Sequence, residues 1–142
     1  MLKPLQGQKN FADVFSSGKR FFEKDAVAIV CFRDLYESEG NMESGNITEP
    51  VTLFAVKITK KIEKKAVVRN RIKRLMREGL KKSYSDLASF ELNVKIDKLI
   101  INWRVSPGKS GLIRLEQVQT VIRKLLIKVN EYKIQNSEKK LN

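Results

Sequence analysis

A cationic stretch with helical periodicity, set between two apolar runs, restricts the fold of this chain more than any other feature. Between residues 65 and 82 apolar side chains recur every three or four positions, as on a helix with one buried face. The flanking segments Val51–Thr59 and Asp97–Val105 are rich in β-branched residues and predict strands. Strands on both sides of a helix make a parallel pairing through a helical crossover plausible, and the general handedness rule would make it right-handed. The apolar helix positions are Val68, Ile72, Leu75, Met76 and Leu80.

The amino-terminal third predicts a short helix followed by two strands. Asn10 is a favourable helix cap in front of apolar residues spaced by three and four positions, and Gly18 closes the segment. Lys19–Glu23 predicts a short strand. The run Ala26–Arg33 predicts a buried one, because it is apolar and contains several β-branched residues.

The remaining segments complete one domain spanning residues 1–142. Residues 34–50 hold five acidic and no basic side chains together with turn formers, which predicts a solvated loop between two strands of an antiparallel hairpin. Apolar periodicity between residues 115 and 129 predicts a last helix, and the polar residues 135–142 predict a disordered tail. We therefore expect an α+β fold, with a mixed four-stranded sheet and three helices in the order αβββαβα.

Positive charge is concentrated in one segment. The chain carries 29 Lys and Arg against 16 Asp and Glu, a net charge of +13. Residues 57–82 contain twelve of these cations and two glutamates, so this segment alone carries +10. A run of charge usually marks a solvated face. However, cations at every fourth position from Lys65 to Lys81 repel one another on a helix, and this density predicts a partner whose phosphates neutralise them.

Several functional classes are unsupported by the sequence. There is no histidine, which removes the commonest general base and metal ligand, and no Gly-rich phosphate loop. Cys31 is the single cysteine, and its apolar neighbours predict an inert, buried thiol. The longest apolar run is too short to span a membrane, and the first residues lack a secretory signal pattern, so we expect a cytoplasmic protein. Any catalysis is expected to belong to a partner.

Composition alone leaves three functions open. The cationic helix fits a subunit whose polyanionic partner carries any catalysis, and it fits a structural RNA-binding protein of the ribosomal or chaperone kind equally well. A DNA-binding regulator is the third hypothesis, although no second helix is spaced like a helix-turn-helix partner. Phe11 and Phe15 lie one helical turn apart, and such aromatic residues are more often core side chains than platforms for bases.

The segment KKIEKKAVVRNRIKRLMRE, Lys60–Glu78, resembles the signature of the bacterial ribonuclease P protein component. It has the lysine pair, the alanine, the Arg-Asn-Arg core and the Ile-Lys-Arg-Leu run of that signature, while Glu63–Lys65 stands where the family commonly has a glycine-containing spacer. FADVFSSGK (Phe11–Lys19) is similar to the family's first helix, DKLIINWR (Asp97–Arg104) to its last strand and Leu112–Tyr132 to its last helix. The resemblance covers about Leu5 to Lys133.

The resemblance implies the protein subunit of a ribonucleoprotein endonuclease that removes the 5′ leader of precursor tRNA. Catalysis would belong to the RNA subunit and its Mg²⁺, with no organic cofactor, and the protein alone would be inactive and monomeric. It also implies a left-handed crossover around the basic helix. It assigns binding of the RNA subunit to Lys65, Arg69, Asn70, Arg71, Lys73, Arg74 and Arg77. It assigns binding of the leader to Phe11, Phe15, Lys57, Thr59 and Lys61, where bases would stack on the aromatic rings.

Overall fold

The computed structural model describes residues 2–33, 51–86, 96–107 and 113–141, with the side chains of the last helix described through Tyr132. In chain order the elements are β1 (Leu2–Pro4), α1 (Gln8–Ser17), β2 (Lys19–Phe22), β3 (Ala26–Phe32), β4 (Thr52–Ile58), α2 (Ala66–Asp86), β5 (Ile96–Trp103) and α3 (Leu115–Leu141). The predicted α+β class and the three helices are confirmed. The acidic loop predicted for residues 34–50 lies outside the described residues.

The five strands form one mixed sheet in the order β1-β4-β5-β3-β2. β4 and β5 are parallel neighbours and α2 connects them, so the helical crossover is confirmed, while its handedness stays a prediction. The predicted hairpin of β3 with β4 is wrong, because β5 lies between them and pairs antiparallel with β3. The reason is burial: β5 is apolar on both faces, with Leu99, Ile100 and Ile101 fully buried, and only a central strand buries both faces.

The sheet has five strands where the sequence predicted four. The additional strand is β1, which pairs parallel with β4 along one edge of the sheet. Its three residues are half-buried or exposed and include Pro4, which has no amide hydrogen to donate. A segment this short has no alternation to detect, so its pairing depends on the neighbouring strand rather than on its own residues.

Both faces of the sheet are covered by helices. Alternate residues of β3 point to opposite faces, so Ala26, Ala28 and Val30 join the larger core beneath α2 and α3. Val27 and Ile29 join a smaller core beneath α1. This two-sided burial explains why β3 reads as a continuous apolar run rather than as an alternating one.

The helix α1 begins earlier than the predicted cap at Asn10. The residue before its first turn is Gly7, whose φ of 92° lies in the left-handed region that glycine adopts without strain. Asn10 lies inside the helix, where its side-chain amide donates to the carbonyl of Gln6 at 2.7 Å. The predicted end is confirmed, since the amide of Gly18 donates to the carbonyl of Val14 at 2.8 Å.

The two long helices pack against each other through their predicted apolar stripes. Gly79 of α2 lies so close to α3 that a Cβ there would meet the Cα of Gln119 at 3.3 Å. The backbone of α3 continues as helix to Leu141, into the segment predicted as a disordered tail, whose side chains lie outside the described residues. The buried side chains of the two stripes are Ile72, Leu75, Met76 and Leu80 in α2, and Val118, Ile122, Leu125, Leu126 and Val129 in α3.

Candidate nucleic-acid interface

The entry to α2 is held by a carboxylate within the basic segment. The Oε1 atom of Glu63 accepts a hydrogen bond from the backbone amide of Lys65 at 3.3 Å, at the amino end of the helix. Its Oε2 atom accepts one from the hydroxyl of Ser106 at 3.1 Å, in the segment that follows β5. A negative group is favourable near a helix amino terminus. Glu63 thus links the segment that follows β4 to the segment that follows β5, and it stabilises the start of the basic helix.

Arg69 braces the same turn. Its Nη1 atom donates to the backbone carbonyls of Glu63 at 2.9 Å and Lys64 at 2.8 Å. The residue is half-buried, and both hydrogen bonds come from Nη1, one of the three nitrogen atoms of the guanidinium. Arg69 therefore has a structural role that the sequence did not indicate, in addition to the predicted role in RNA binding.

The other predicted contacts of α2 are mostly directed to solvent. Arg71 donates to the carbonyl of Ile113 at 3.5 Å, the limit of a hydrogen bond. Across the described ranges, no carboxylate forms an ion pair with a cation of α2. We call the exposed cations of this helix, together with Asn70 and with Lys65 directly before the helix, the basic surface; its members are Lys65, Asn70, Arg71, Arg74, Arg77, Lys81 and Lys82.

The row of cations at every fourth position winds around α2. Four residues rotate an α-helix by about 400°, so each member of the row is displaced by about 40° from the one before. Arg69 and Lys73 are consequently half-buried beside the core, while Arg77 and Lys81 are exposed. The predicted row of cations is present. From Arg69 to Lys81 it passes from the side of the helix next to the core to the side that faces solvent, and Arg74 lies in the middle of the exposed face.

α1 crosses the opposite face of the sheet. The Oδ1 atom of Asn10 accepts a hydrogen bond from the Nζ of Lys98 at 3.3 Å, and the hydroxyl of Ser17 lies 3.8 Å from the Sγ of Cys31. Lys98 on β5 and Cys31 on β3 are directly paired, so the helix runs along this row, across the strands. Cys31 is half-buried rather than fully buried as the sequence predicted.

Phe11 and Phe15 line the space between α1 and the sheet. Both residues are half-buried and pack against the smaller core, so part of each side chain remains accessible. The Nζ of Lys57, on β4, lies 5.0 Å from the centre of the Phe15 ring, within the range of a cation–π contact. Three of the five predicted leader contacts are thus brought together.

The floor beside these rings contains a residue that the sequence did not indicate. Asn102 on β5 is paired with Lys57 on β4, so both side chains lie on the α1 face of the sheet. Asn102 is half-buried, and its Oδ1 is buried without a hydrogen-bond partner. The sequence alone does not place Asn102 beside Lys57, because that placement depends on the register between β4 and β5. We call Phe11, Phe15, Lys57 and Asn102 the aromatic cleft.

Thr59 and Lys61 follow Lys57 in the connection from β4 to α2. The carbonyl of Thr59 accepts the backbone amides of Ile62 and Glu63, both at 3.1 Å, which closes a turn. Thr59 is half-buried and Lys61 is exposed. These two predicted leader contacts therefore lie along the chain between the aromatic cleft and the basic surface, rather than beside the phenylalanine rings.

Clusters that could bind a metal ion and helices that could span a membrane are absent from the described ranges. No group of three or more Asp, Glu or Cys side chains there could hold a metal ion. None of the helices in the same ranges combines the length and the apolar character needed to cross a bilayer. A cleft of about 500 Å³ lies where β5 meets the start of α3, lined by both polar and apolar side chains, Trp103 among them.

Comparison with known proteins agrees with this architecture. The RNase P protein of Staphylococcus aureus superposes with a TM-score of 0.61 over 89% of this chain and 94% of that chain, at 20% identity. The RNase P protein of Thermotoga maritima superposes with a TM-score of 0.58 over 87% of this chain and 94% of that one, at 19% identity. At these identities the likeness shows the fold.

Sequence comparison identifies the family. The ribonuclease P protein component of Rickettsia canadensis is 31% identical over 83 residues, which are 58% of this chain. The matched region spans 64% of the length of that relative. The family model for ribonuclease P matches residues 2–106, which contain the aromatic cleft and the whole basic surface. The five-stranded sheet, the cationic crossover helix and these matches lead to one conclusion: the chain belongs to the ribonuclease P protein family.

Proposed function

We propose that this chain is the protein subunit of a ribonuclease P ribonucleoprotein, which removes the 5′ leader of precursor tRNA to generate the mature 5′ end. The observation that carries the proposal is the presence of two chemically different surfaces on opposite faces of one sheet. The basic surface lies on α2, which packs on one face, and the aromatic cleft lies under α1 on the other. A protein built in this way can bind two RNA segments at once.

The basic surface is proposed to bind the catalytic RNA subunit. Its cations have no intramolecular carboxylate partner among the described residues, so the phosphates of a folded RNA can neutralise them without first breaking ion pairs. Arginine adds forked contacts to phosphate oxygens or to a guanine edge, and the exposed Asn70 can bond a 2′-hydroxyl or a base. Each contact that releases a counterion makes binding more dependent on salt.

The aromatic cleft is proposed to bind the single-stranded leader. Bases stack on aromatic faces whatever their identity, which suits a leader whose sequence varies between tRNAs. The Lys57 ammonium beside Phe15 can attract the phosphate that follows a stacked base. Thr59 and Lys61 are proposed to guide the leader from the cleft toward the RNA subunit bound at α2.

The protein residues are proposed to position the RNAs rather than to react. Mg²⁺, bound mainly by the RNA subunit, supplies the metal chemistry of hydrolysis when the complex is assembled. This chain binds the leader and the RNA subunit, and so increases the affinity of the complex for leader-bearing precursor over mature tRNA. The proposed activity places the protein in the cytoplasm with its RNA partners.

Cleavage of a precursor tRNA tests the proposal. We would assay the full chain alone, the RNA subunit alone and the two together, at low Mg²⁺ concentration. We expect cleavage at the 5′ end of the mature tRNA only when the RNA subunit is present, and stronger cleavage when the protein is added. Cleavage by the protein alone would contradict the assignment of catalysis to RNA. If the chain copurified from cells with ribosomal RNA and without a tRNA-processing RNA, the structural RNA-binding alternative would be favoured.

A further inference from the structure

Phe22, at the edge of the sheet, is an exposed aromatic residue that belongs neither to the basic surface nor to the aromatic cleft. Its side chain is 56% exposed, whereas that of its neighbour Phe21 is 8% exposed and lies in the larger core. A single exposed apolar side chain is ordinary in folded proteins and by itself indicates nothing. The position of Phe22 in the sheet is what relates it to the aromatic cleft.

Strand register places Phe22 in line with the aromatic cleft. Phe22 on β2 is paired with Val27 on β3, Val27 with Asn102 on β5, and Asn102 with Lys57 on β4. Directly paired residues point to the same face, and Val27 belongs to the smaller core under α1. Phe22 and Lys57 therefore lie at the two ends of one row that crosses four strands. Three strand spacings separate them, about 14 Å.

The charges around Phe22 suit a polyanion. Arg20 precedes it by two residues on β2, so it lies on the same face, and it is exposed, as is Lys24 in the turn that follows. The nearby carboxylate of Glu23 is already occupied, because the Nζ of Lys128 lies 2.9 Å from its Oε2. An accessible aromatic ring with cations beside it is the combination by which proteins bind single-stranded nucleic acid.

We propose that Phe22 is a second stacking platform for the single-stranded leader, at the opposite end from Lys57 of the row that forms the cleft floor. The leader would run across the strands along the Lys57–Asn102–Val27–Phe22 row, with one base stacked near Phe15 and a later one on Phe22. This inference rests on the proposed function, because it extends the leader site to a residue outside those that the sequence analysis assigned.

The length of the row between Lys57 and Phe22 makes the inference measurable. About 14 Å is the length of roughly four stacked nucleotides at 3.4 Å each, and fewer extended ones. Leaders of one or two nucleotides that bind at the Lys57 end of the row therefore end before they reach Phe22, whereas leaders longer by several nucleotides reach both ends. The contribution of Phe22 to affinity must accordingly depend on leader length.

The experiment measures binding of precursor tRNAs to the assembled holoenzyme. Leaders of one, two, four, six and eight nucleotides would be compared with mature tRNA, for the wild type and for the variants Phe22→Ala, Phe22→Trp, Phe15→Ala and Ile127→Ala. Ile127 provides a matched control, because it is an apolar side chain of α3 that is 39% exposed. Thermal unfolding of each variant tests folding, and sedimentation tests the oligomeric state.

We expect Phe22→Ala to weaken binding of the longer leaders by about 5- to 140-fold, the loss of one stacked base. It should leave the shortest leaders and mature tRNA unchanged, Phe22→Trp should retain wild-type affinity, and Ile127→Ala should have no effect. If Phe15→Ala weakens leader binding and Phe22→Ala does not, the inference fails and the proposed function stands. If neither variant changes discrimination between precursor and mature tRNA, the leader site itself fails. A change of oligomeric state in Phe22→Ala without a leader effect would identify this edge as a contact with another copy and overturn the inference.

Discussion

Substitution of Arg69 by alanine tests two roles of this residue, the proposed contact with RNA and the observed hydrogen bonds at the start of α2. In the proposed complex Arg69 contacts the RNA subunit, and within the protein it donates from Nη1 to the carbonyls of Glu63 and Lys64. Arg69→Ala removes both functions, whereas a substitution of the exposed Arg74 removes only a cation. The pair of variants therefore separates the bracing of the helix start from the attraction of phosphate.

The magnitude follows from the two hydrogen bonds. A hydrogen bond from a charged donor contributes roughly 1.5 to 3 kcal/mol when it is shielded, and less when water competes for it. The bond to Glu63 is partly buried and the bond to Lys64 is exposed, so together they stabilise the fold by about 2 kcal/mol. Removing one cation from a repulsive row returns a few tenths of a kcal/mol, roughly 0.3 per pair. The net loss is about 1.5 kcal/mol, which lowers Tm by about 5 °C in a domain of this size.

Thermal unfolding of the free protein, followed by circular dichroism, measures this effect. We expect Arg69→Ala to unfold about 5 °C below the wild type and Arg74→Ala to unfold within about 1 to 2 °C of it, since exposed substitutions usually change stability by under 0.5 kcal/mol. Both should reduce the salt dependence of RNA binding. Arg69→Lys keeps the charge without the forked donor, so it should lower Tm while preserving most of the salt dependence. Equal Tm values for the two alanine variants would refute the bracing role.

Three further substitutions test the packing and the cleft. Gly79→Ala should lower Tm, because the contact of a new Cβ with α3 costs about 1 to 3 kcal/mol and exceeds the gain of about 1 kcal/mol in helix propensity; a higher Tm would mean that the helices do not approach closely. Burial raises the pKa of Tyr84, so the unfolded chain ionises first and stability should decline as pH rises above about 10; in Tyr84→Phe, urea titrations should show a smaller decline. Phe11→Ala should lower stability by only about 2 kcal/mol, since the ring is half-buried, and should weaken binding of leader-bearing precursor to the holoenzyme; a loss of about 3 to 5 kcal/mol would identify a core residue instead.

Local periodicity predicted every element of this fold except β1, whereas strand pairing depended on contacts between distant residues. The apolar stripe of α2 and the continuous apolar run of β3 depend only on neighbours along the chain, and the structure confirms both. The hairpin between β3 and β4 followed from their proximity in sequence. The structure inserts β5 between them because β5 must bury both of its faces, and this requirement becomes visible only when all strands compete for the centre of the sheet.

The same distinction applies to the candidate site. Spacing and family resemblance were enough to predict site residues that belong to one helix or one motif, such as Arg71 and Arg74 on the basic surface. Asn102 and Phe22 could not be placed in this way, because their alignment with Lys57 depends on the register of four strands. The structural role of Arg69 could not be predicted either, because its hydrogen bonds go to backbone carbonyls of the preceding turn, which every residue type has.

The affinity of the intact protein for ribonuclease P RNA, measured against an unrelated structured RNA of equal length, tests the central claim most directly. Binding would be followed across a series of salt concentrations that includes physiological ionic strength, for the wild type and for Arg74→Ala and Arg77→Ala. The account predicts a clear preference for ribonuclease P RNA at that ionic strength, and a salt slope that decreases by about one unit for each phosphate contact removed. Equal affinity for the two RNAs, with slopes unchanged in both variants, would contradict it.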